Sequence, residues 1–146
     1  MSCPYFYPVE PDTSHTNPRS ALLPLGALWA GVCHATSAEL VPPEEASVRR
    51  LCQLGYARDN CSRFPNDAGA DAVRFTISRD DGQLLHLHYV LERDHHPYAH
   101  GSLEYQRGSA RLVRAPQNEI VRRQAEAYIT SYLQQKEQRA GSPGSR

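Results

Sequence analysis

The feature that most constrains the fold is a pair of alternating apolar and polar segments in the middle of the chain. Apolar or aromatic residues occupy every second position from Val73 to Ile77 and again from Leu85 to Leu91. This period of two is typical of strands that bury one face. The sequence Asp-Asp-Gly at residues 80–82 favours a tight turn between them. The two segments are therefore predicted to pair as an antiparallel hairpin.

The second half of the chain supplies the remaining regular elements. Leu103 and Tyr105 predict a third strand, and Leu112 and Val113 predict a short fourth piece. A helix is predicted from about residue 116 to residue 139. Its apolar positions recur at helical spacing, so they are expected to cover one face of the strands: Val121, Ala125, Tyr128 and Tyr132.

Two short helices are predicted in the first half. The first rests on a spacing of three, four, seven and eight residues among Leu25, Leu28, Trp29, Val32 and Cys33. The second begins at Pro42 and Pro43, a favoured residue type in the first helical turn, and can end at Gly55. The predicted fold class is α+β: a small antiparallel meander of three to four strands covered by a C-terminal helix, with two short N-terminal helices.

The length of 146 residues fits one domain. Prolines recur through residues 1–24, which predicts an extended N-terminal arm. Residues 25–139 are predicted to form a single α+β domain. Residues 140–146 are rich in Gly, Ser and Pro, and are predicted to be a disordered tail.

The charges of the whole chain cancel, with 16 basic and 16 acidic residues. This balance argues against nucleic acid or anionic lipid as a partner. Arginines do cluster in the last third of the chain, but a solvated helix face explains them: Arg107, Arg111, Arg114, Arg122 and Arg123. No segment has the ~20 apolar residues that span a bilayer, and the N-terminus lacks the features of a secretory signal. The prediction is a cytoplasmic protein, whose partner, if any, is another protein.

Four cysteines carry the main functional hypothesis, and in the cytosol they are expected to be reduced or metal-bound. Cys3, Cys33, Cys52 and Cys61 all lie in the first half of the chain. Four thiolates suit either a tetrahedral zinc ion or a [4Fe–4S] cluster. Cys52 and Cys61 flank a predicted helix end, and a metal bond would anchor Cys3. Because paired zinc knuckles are missing, we favour the cluster over zinc.

Two other interpretations remain open. Cys33 and Cys52 fall on the apolar faces of the predicted helices, where cysteine behaves as a small buried hydrophobe. The chain would then be a metal-free accessory or interaction protein. Alternatively, the polar loop at residues 94–101 could serve an enzyme, with Asp94 orienting a histidine as a general base. Two of its three histidines could also complete a zinc site with Cys52 and Cys61: His95, His96 and His100.

His86, His88 and Glu92 show the spacing His-x-His-x3-Glu, which resembles the first metal-binding motif of the cupin barrels. The resemblance implies a metal bound inside a barrel. No glycine precedes the first histidine as that motif requires, no second motif follows, and the strands are too few to close a barrel. The alternation of the strand predicts instead that these three side chains face away from the core.

Overall fold

The computed structural model describes residues 2–11, 24–27, 29–33, 69–114 and 118–141. These residues form six strands and one helix. The elements are β1 (Phe6–Pro11), β2 (Trp29–Cys33), β3 (Ala72–Asp80), β4 (Leu84–Arg93), β5 (His96–Gln106), β6 (Arg111–Arg114) and α1 (Glu119–Gly141). Strands β1 and β2 pair as a two-stranded antiparallel sheet, here called the N-terminal sheet. The other four form an antiparallel meander in the order β3-β4-β5-β6.

The predicted fold class is wrong. The described part of the chain is mostly β, with two antiparallel sheets and a single C-terminal helix in place of one sheet and two N-terminal helices. The segment predicted as the first helix contains strand β2, Trp29–Cys33. The second predicted helix, from Pro42 to Gly55, lies outside the described residues.

Strand pairing with the N-terminal segment decides the structure of Trp29–Cys33. Pro8 and Pro11 favour an extended backbone in residues 6–11, and the resulting strand β1 offers β2 a partner. Trp29, Gly31 and Cys33 then share one face of the strand, a period of two that the helical spacing concealed. A Cβ atom at Gly31 would lie 2.2 Å from the carbonyl oxygen of Tyr7, so this close pairing requires glycine.

The meander buries the residues that alternation assigned to the core. Val73, Leu85, Leu87 and Leu103 are almost inaccessible to solvent. Strand β4 lies between β3 and β5 along nearly its whole length, and its register keeps one apolar row facing inward. The strands predicted around residues 73–77 and 85–91 are therefore present as a hairpin.

Helix α1 packs against both sheets. On one side the ring of Tyr128 stacks on Phe75 of β3, with ring centroids 5.7 Å apart. On another side, Trp29 of β2 donates a hydrogen bond through Nε1 to Oγ of Ser131, at 3.1 Å. The buried residues of α1 accordingly extend beyond the predicted face and include Gln124, Ala127, Ile129 and Ser131.

Asp80, the last residue of β3, ties the meander to the C-terminal half of α1. Its carboxylate accepts a hydrogen bond from the hydroxyl of Tyr132 at 2.8 Å and forms an ion pair with Lys136. The bond from Lys136, with those from the Gly82 amide and the Tyr132 hydroxyl, lowers the pKa of Asp80 from 3.8 to about 2. The ionised carboxylate is therefore the form that the folded protein stabilises.

We expect Asp80→Asn to destabilise the protein by about 1–2 kcal/mol at pH 7, after allowance for the partial exposure of Lys136. Because the pKa of Asp80 is lower in the folded state, this stabilisation is fully present above about pH 4 and disappears between about pH 4 and pH 2. The measurement is urea unfolding followed by the fluorescence of Trp29. The matched control is Glu137→Gln, an exposed carboxylate on the same helix, and an equal effect of both variants would contradict the prediction.

Candidate functional site

Two of the four predicted metal ligands, Cys3 and Cys33, lie in the described part of the chain. Cys3 precedes β1 in a tight turn, and Cys33 is the last residue of β2. The other two, Cys52 and Cys61, lie outside the described residues. The geometry available for the predicted site is therefore that of its first two thiols.

Pairing of β1 with β2 brings Cys3 and Cys33 to the same end of the N-terminal sheet. The amide of Phe6 donates a hydrogen bond to the carbonyl oxygen of Cys3 at 3.1 Å, and Phe6 lies directly opposite Cys33. A turn of this kind keeps its end Cα atoms within about 7 Å, and opposed residues lie about 5 Å apart. The Cα atoms of Cys3 and Cys33 are thus within roughly 13 Å of each other.

The two thiols also lie on the buried side of this sheet. Opposed residues of an antiparallel pair project to the same face, so Cys33 shares its face with Phe6. Phe6 is 1% exposed, and Cys3, 6% exposed, belongs to the same apolar cluster, together with Leu25 and Trp29. Cys33 is half-buried. The surroundings of Cys3 are therefore apolar and shielded from water, whereas Cys33 at the end of β2 is shielded only in part.

The side-chain amide of Gln124 fixes the position of Cys3. This fully buried residue of α1 donates through Nε2 to the carbonyl oxygens of Cys3 and Phe6, each at 2.7 Å. Its Oε1 accepts a hydrogen bond from the hydroxyl of Ser2, also at 2.7 Å. Every polar atom of the amide thus holds the turn that contains Cys3, so a helix far along the chain positions this turn.

Arg123, the neighbour of Gln124, holds the next part of β1. Its guanidinium donates hydrogen bonds to the carbonyl oxygens of Pro8 at 2.7 Å and Val9 at 2.6 Å. The same guanidinium lies 5.8 Å from the ring centroid of Trp29, within the range of a cation–π contact. It therefore contacts both strands of the N-terminal sheet.

Three polar residues of α1 have structural roles that the pattern of apolar residues does not predict: Gln124, Ser131 and Gln135. They form a polar row on α1, and each bonds to the N-terminal half of the chain: Gln124 to the Cys3 turn, Ser131 to Trp29, and Gln135 to the carbonyl oxygen of Gly26. Analysis of apolar periodicity passes over such residues because amides and hydroxyls count as solvent-facing. Their spacing of seven and four residues is the only trace of this row in the sequence.

The prediction of a polar loop at residues 94–101 is wrong for most of its length: only Asp94 and His95 form the turn between β4 and β5, and residues 96–101 belong to strand β5 because they pair with β4. Asp94 and His95 both have positive φ, as the two central residues of a type I′ turn do. The amide of Asp94 donates a hydrogen bond to the Asp71 carboxylate at 2.8 Å, which anchors the turn. His95 and His96 are exposed. Within the described ranges, no three His, Cys, Asp or Glu side chains are grouped so as to hold a metal ion.

His86 and His88 face away from the core, as their alternation predicted. His86 lies opposite Glu104, with 3.8 Å between Nδ1 and Oε1, and His88 contacts Oγ of Ser102 through Nδ1 at 3.2 Å. Glu92 forms an ion pair with Arg74 at 3.1 Å. Each of the three residues of the cupin-like spacing thus contacts a side chain on a neighbouring strand.

Comparisons with known proteins give no relative: no family model, no curated protein and no solved structure matches this chain. Among the described residues, no helix combines the length and apolar character needed to cross a membrane.

Replacing Gln124 with Leu should destabilise the protein by about 2–4 kcal/mol, because a buried hydroxyl and two buried carbonyl oxygens lose their partner. Gln134→Leu, on the exposed face of the same helix, is the matched control and should change stability by less than about 0.5 kcal/mol. Chemical unfolding followed by Trp29 fluorescence measures both. Equal stabilities of the two variants would show that the Gln124 amide does not hold the Cys3 turn.

Proposed function

We propose that this chain is a small cytosolic metal-binding protein in which Cys3, Cys33, Cys52 and Cys61 hold one [4Fe–4S] cluster. Zinc is the alternative metal for the same four thiolates. The use of the centre would be electron transfer, sensing or stabilisation of the fold. The single observation that carries the proposal is the placement of Cys3 and Cys33 at the same end of the N-terminal sheet.

The surroundings of the two thiols support this proposal. Thiolate ligands are soft and suit iron–sulfur clusters, and apolar surroundings control both the access of water and the reduction potential. Cys3 and Cys33 are distant in sequence, yet the turn before β1 and the pairing of β1 with β2 bring them to the same end of the sheet. Two thiols held at one end of a sheet would lower the entropic cost of closing a site with two more.

One observation favours the metal-free alternative, an accessory or interaction protein with structural cysteines. Cys3 packs within the apolar cluster that includes Phe6 and Trp29. A buried cysteine often behaves as a small hydrophobic residue that only fills space in the core. In that case, the cysteine thiols would bind no ligand, and the function would depend on a protein partner.

The test is elemental analysis and absorption spectroscopy on full-length protein purified without oxygen. The proposal predicts iron and sulfide in cluster stoichiometry and a broad absorption near ~400 nm. Cys3→Ala and Cys33→Ala should each lose more than about half of the iron, because a cluster with three thiolates is poorly retained. Trp29 lies on the same face of β2 as Cys33, so its emission should rise when the cluster is removed.

Val32→Ala is the matched control, since Val32 precedes Cys33 and projects from the opposite face of the strand. It should keep the iron content of the unsubstituted protein. One zinc per chain would assign the same ligands to a structural site. Protein without metal under these conditions would overturn the proposal and favour the metal-free alternative.

A further inference from the structure

The meander has a second broad surface, opposite the one that α1 covers. The register of the four strands places one set of opposed residues from neighbouring strands on this surface, here called the outer face. The residues that it carries are polar or charged, apart from Ala72, Leu84, Val90 and Pro97: Arg74, Thr76, Arg79, His86, His88, Glu92, His100, Ser102, Glu104, Gln106, Arg111 and Arg114. Four arginines and three histidines therefore share a face with two carboxylates.

Both carboxylates of the outer face are already engaged. Glu92 is 4% exposed and is held by Arg74, and Glu104 lies against His86. Arg79 attracts the carboxylate of Asp81 at the β3–β4 turn, so the charge of this arginine is offset in part. Arg111 and Arg114, by contrast, are exposed on β6, and none of the ion pairs within the described part of the chain involves either of them. The edge of the outer face at β6 thus carries two positive charges that no described carboxylate pairs with.

The bulge in the β5–β6 pairing puts both arginines on this face. Arg111 lies opposite Gln106 and Arg114 opposite Glu104, with the register shift between these two pairs. Without the shift, residues three apart on a strand would point to opposite faces. The extra residue therefore concentrates the charge of β6 on one side of the sheet.

We propose that the outer face binds single-stranded nucleic acid, with Arg111 and Arg114 on the phosphates. Guanidinium groups bind phosphate through two parallel hydrogen bonds. The exposed rings of His88 and His100 are flat surfaces on which unpaired bases can stack. Thr76 and Ser102 lie opposite His88 on the two neighbouring strands, so their hydroxyls flank one of these rings.

The shape of the surface favours a single strand over a duplex. A four-stranded sheet with spacings of about 4.8 Å presents a face roughly 15 Å wide, which is too broad for the major groove. A single strand can lie across it with successive phosphates at the arginines and bases at the histidines. The balanced charge of the whole chain is compatible with this proposal, because the strand register places more arginines than carboxylates on the outer face.

The probe is a fluorescently labelled oligouridine of about 12 nucleotides, titrated with full-length protein and followed by anisotropy at about 50 and 200 mM salt. We expect measurable binding at the lower salt. Arg111→Gln combined with Arg114→Gln should weaken it about tenfold and reduce the slope of log K against log salt by about 1.4, since each phosphate contact on a single strand contributes about 0.7. Either single variant should show about half of this change in slope.

Arg122→Gln is the matched control, because Arg122 is an exposed arginine of α1 outside the outer face. It removes the same charge and should leave the affinity within about twofold. Trp29 fluorescence reports whether each variant is folded. Absence of binding at about 50 mM salt, an equal loss with Arg122→Gln, or equal competition by polyglutamate would overturn the proposal, as would binding to phosphatidylserine vesicles but not to the oligouridine. The test does not depend on the proposed metal centre.

Discussion

The side-chain amide of Gln124 is the interaction on which the described structure depends. It is fully buried and makes three hydrogen bonds at 2.7 Å to the segment formed by Ser2, Cys3 and Phe6. A buried amide is costly unless its donors and acceptor are satisfied, so only one placement of the N-terminal segment is compatible with it. That placement allows Ser2 to bridge to Val73 of β3, and it sets the start of β1. The N-terminal sheet, the meander and α1 are thereby joined at one point.

Further polar contacts along helix α1 fix the positions of the strands. Arg123 donates hydrogen bonds to carbonyl oxygens of β1, Ser131 accepts one from Trp29, and Tyr132 donates one to Asp80 at the end of β3. Each contact joins residues more than fifty positions apart in sequence. The helix is thus buried on two sides, and its polar side chains fix orientation while apolar packing supplies most of the stabilisation. Loss of one polar contact should therefore affect the geometry of the cysteine-bearing turn as well as overall stability.

The two functional proposals rest on different surfaces and different chemistry. The proposed metal centre would use soft thiolates beside an apolar region, where the exclusion of water would tune the reduction potential. The nucleic-acid surface uses exposed guanidinium groups, whose contacts with phosphate weaken as salt rises. The meander separates the outer face from the core, so substitution of Arg111 or Arg114 leaves the packing around Cys3 intact.

The sequence by itself determined the hairpin of β3 and β4 and the outward direction of His86 and His88, because the two-residue period of a strand is a local property. It misassigned Trp29–Cys33, since apolar spacing in so short a segment fits a helix and a strand alike, and pairing with β1 decided between them. Only the tertiary structure revealed the role of Gln124, whose partners lie more than a hundred residues away, and the segregation of arginines that cluster in sequence. Contacts between distant residues form only when the chain closes on itself, and bulges alter the register of a sheet. No local sequence pattern encodes either of them.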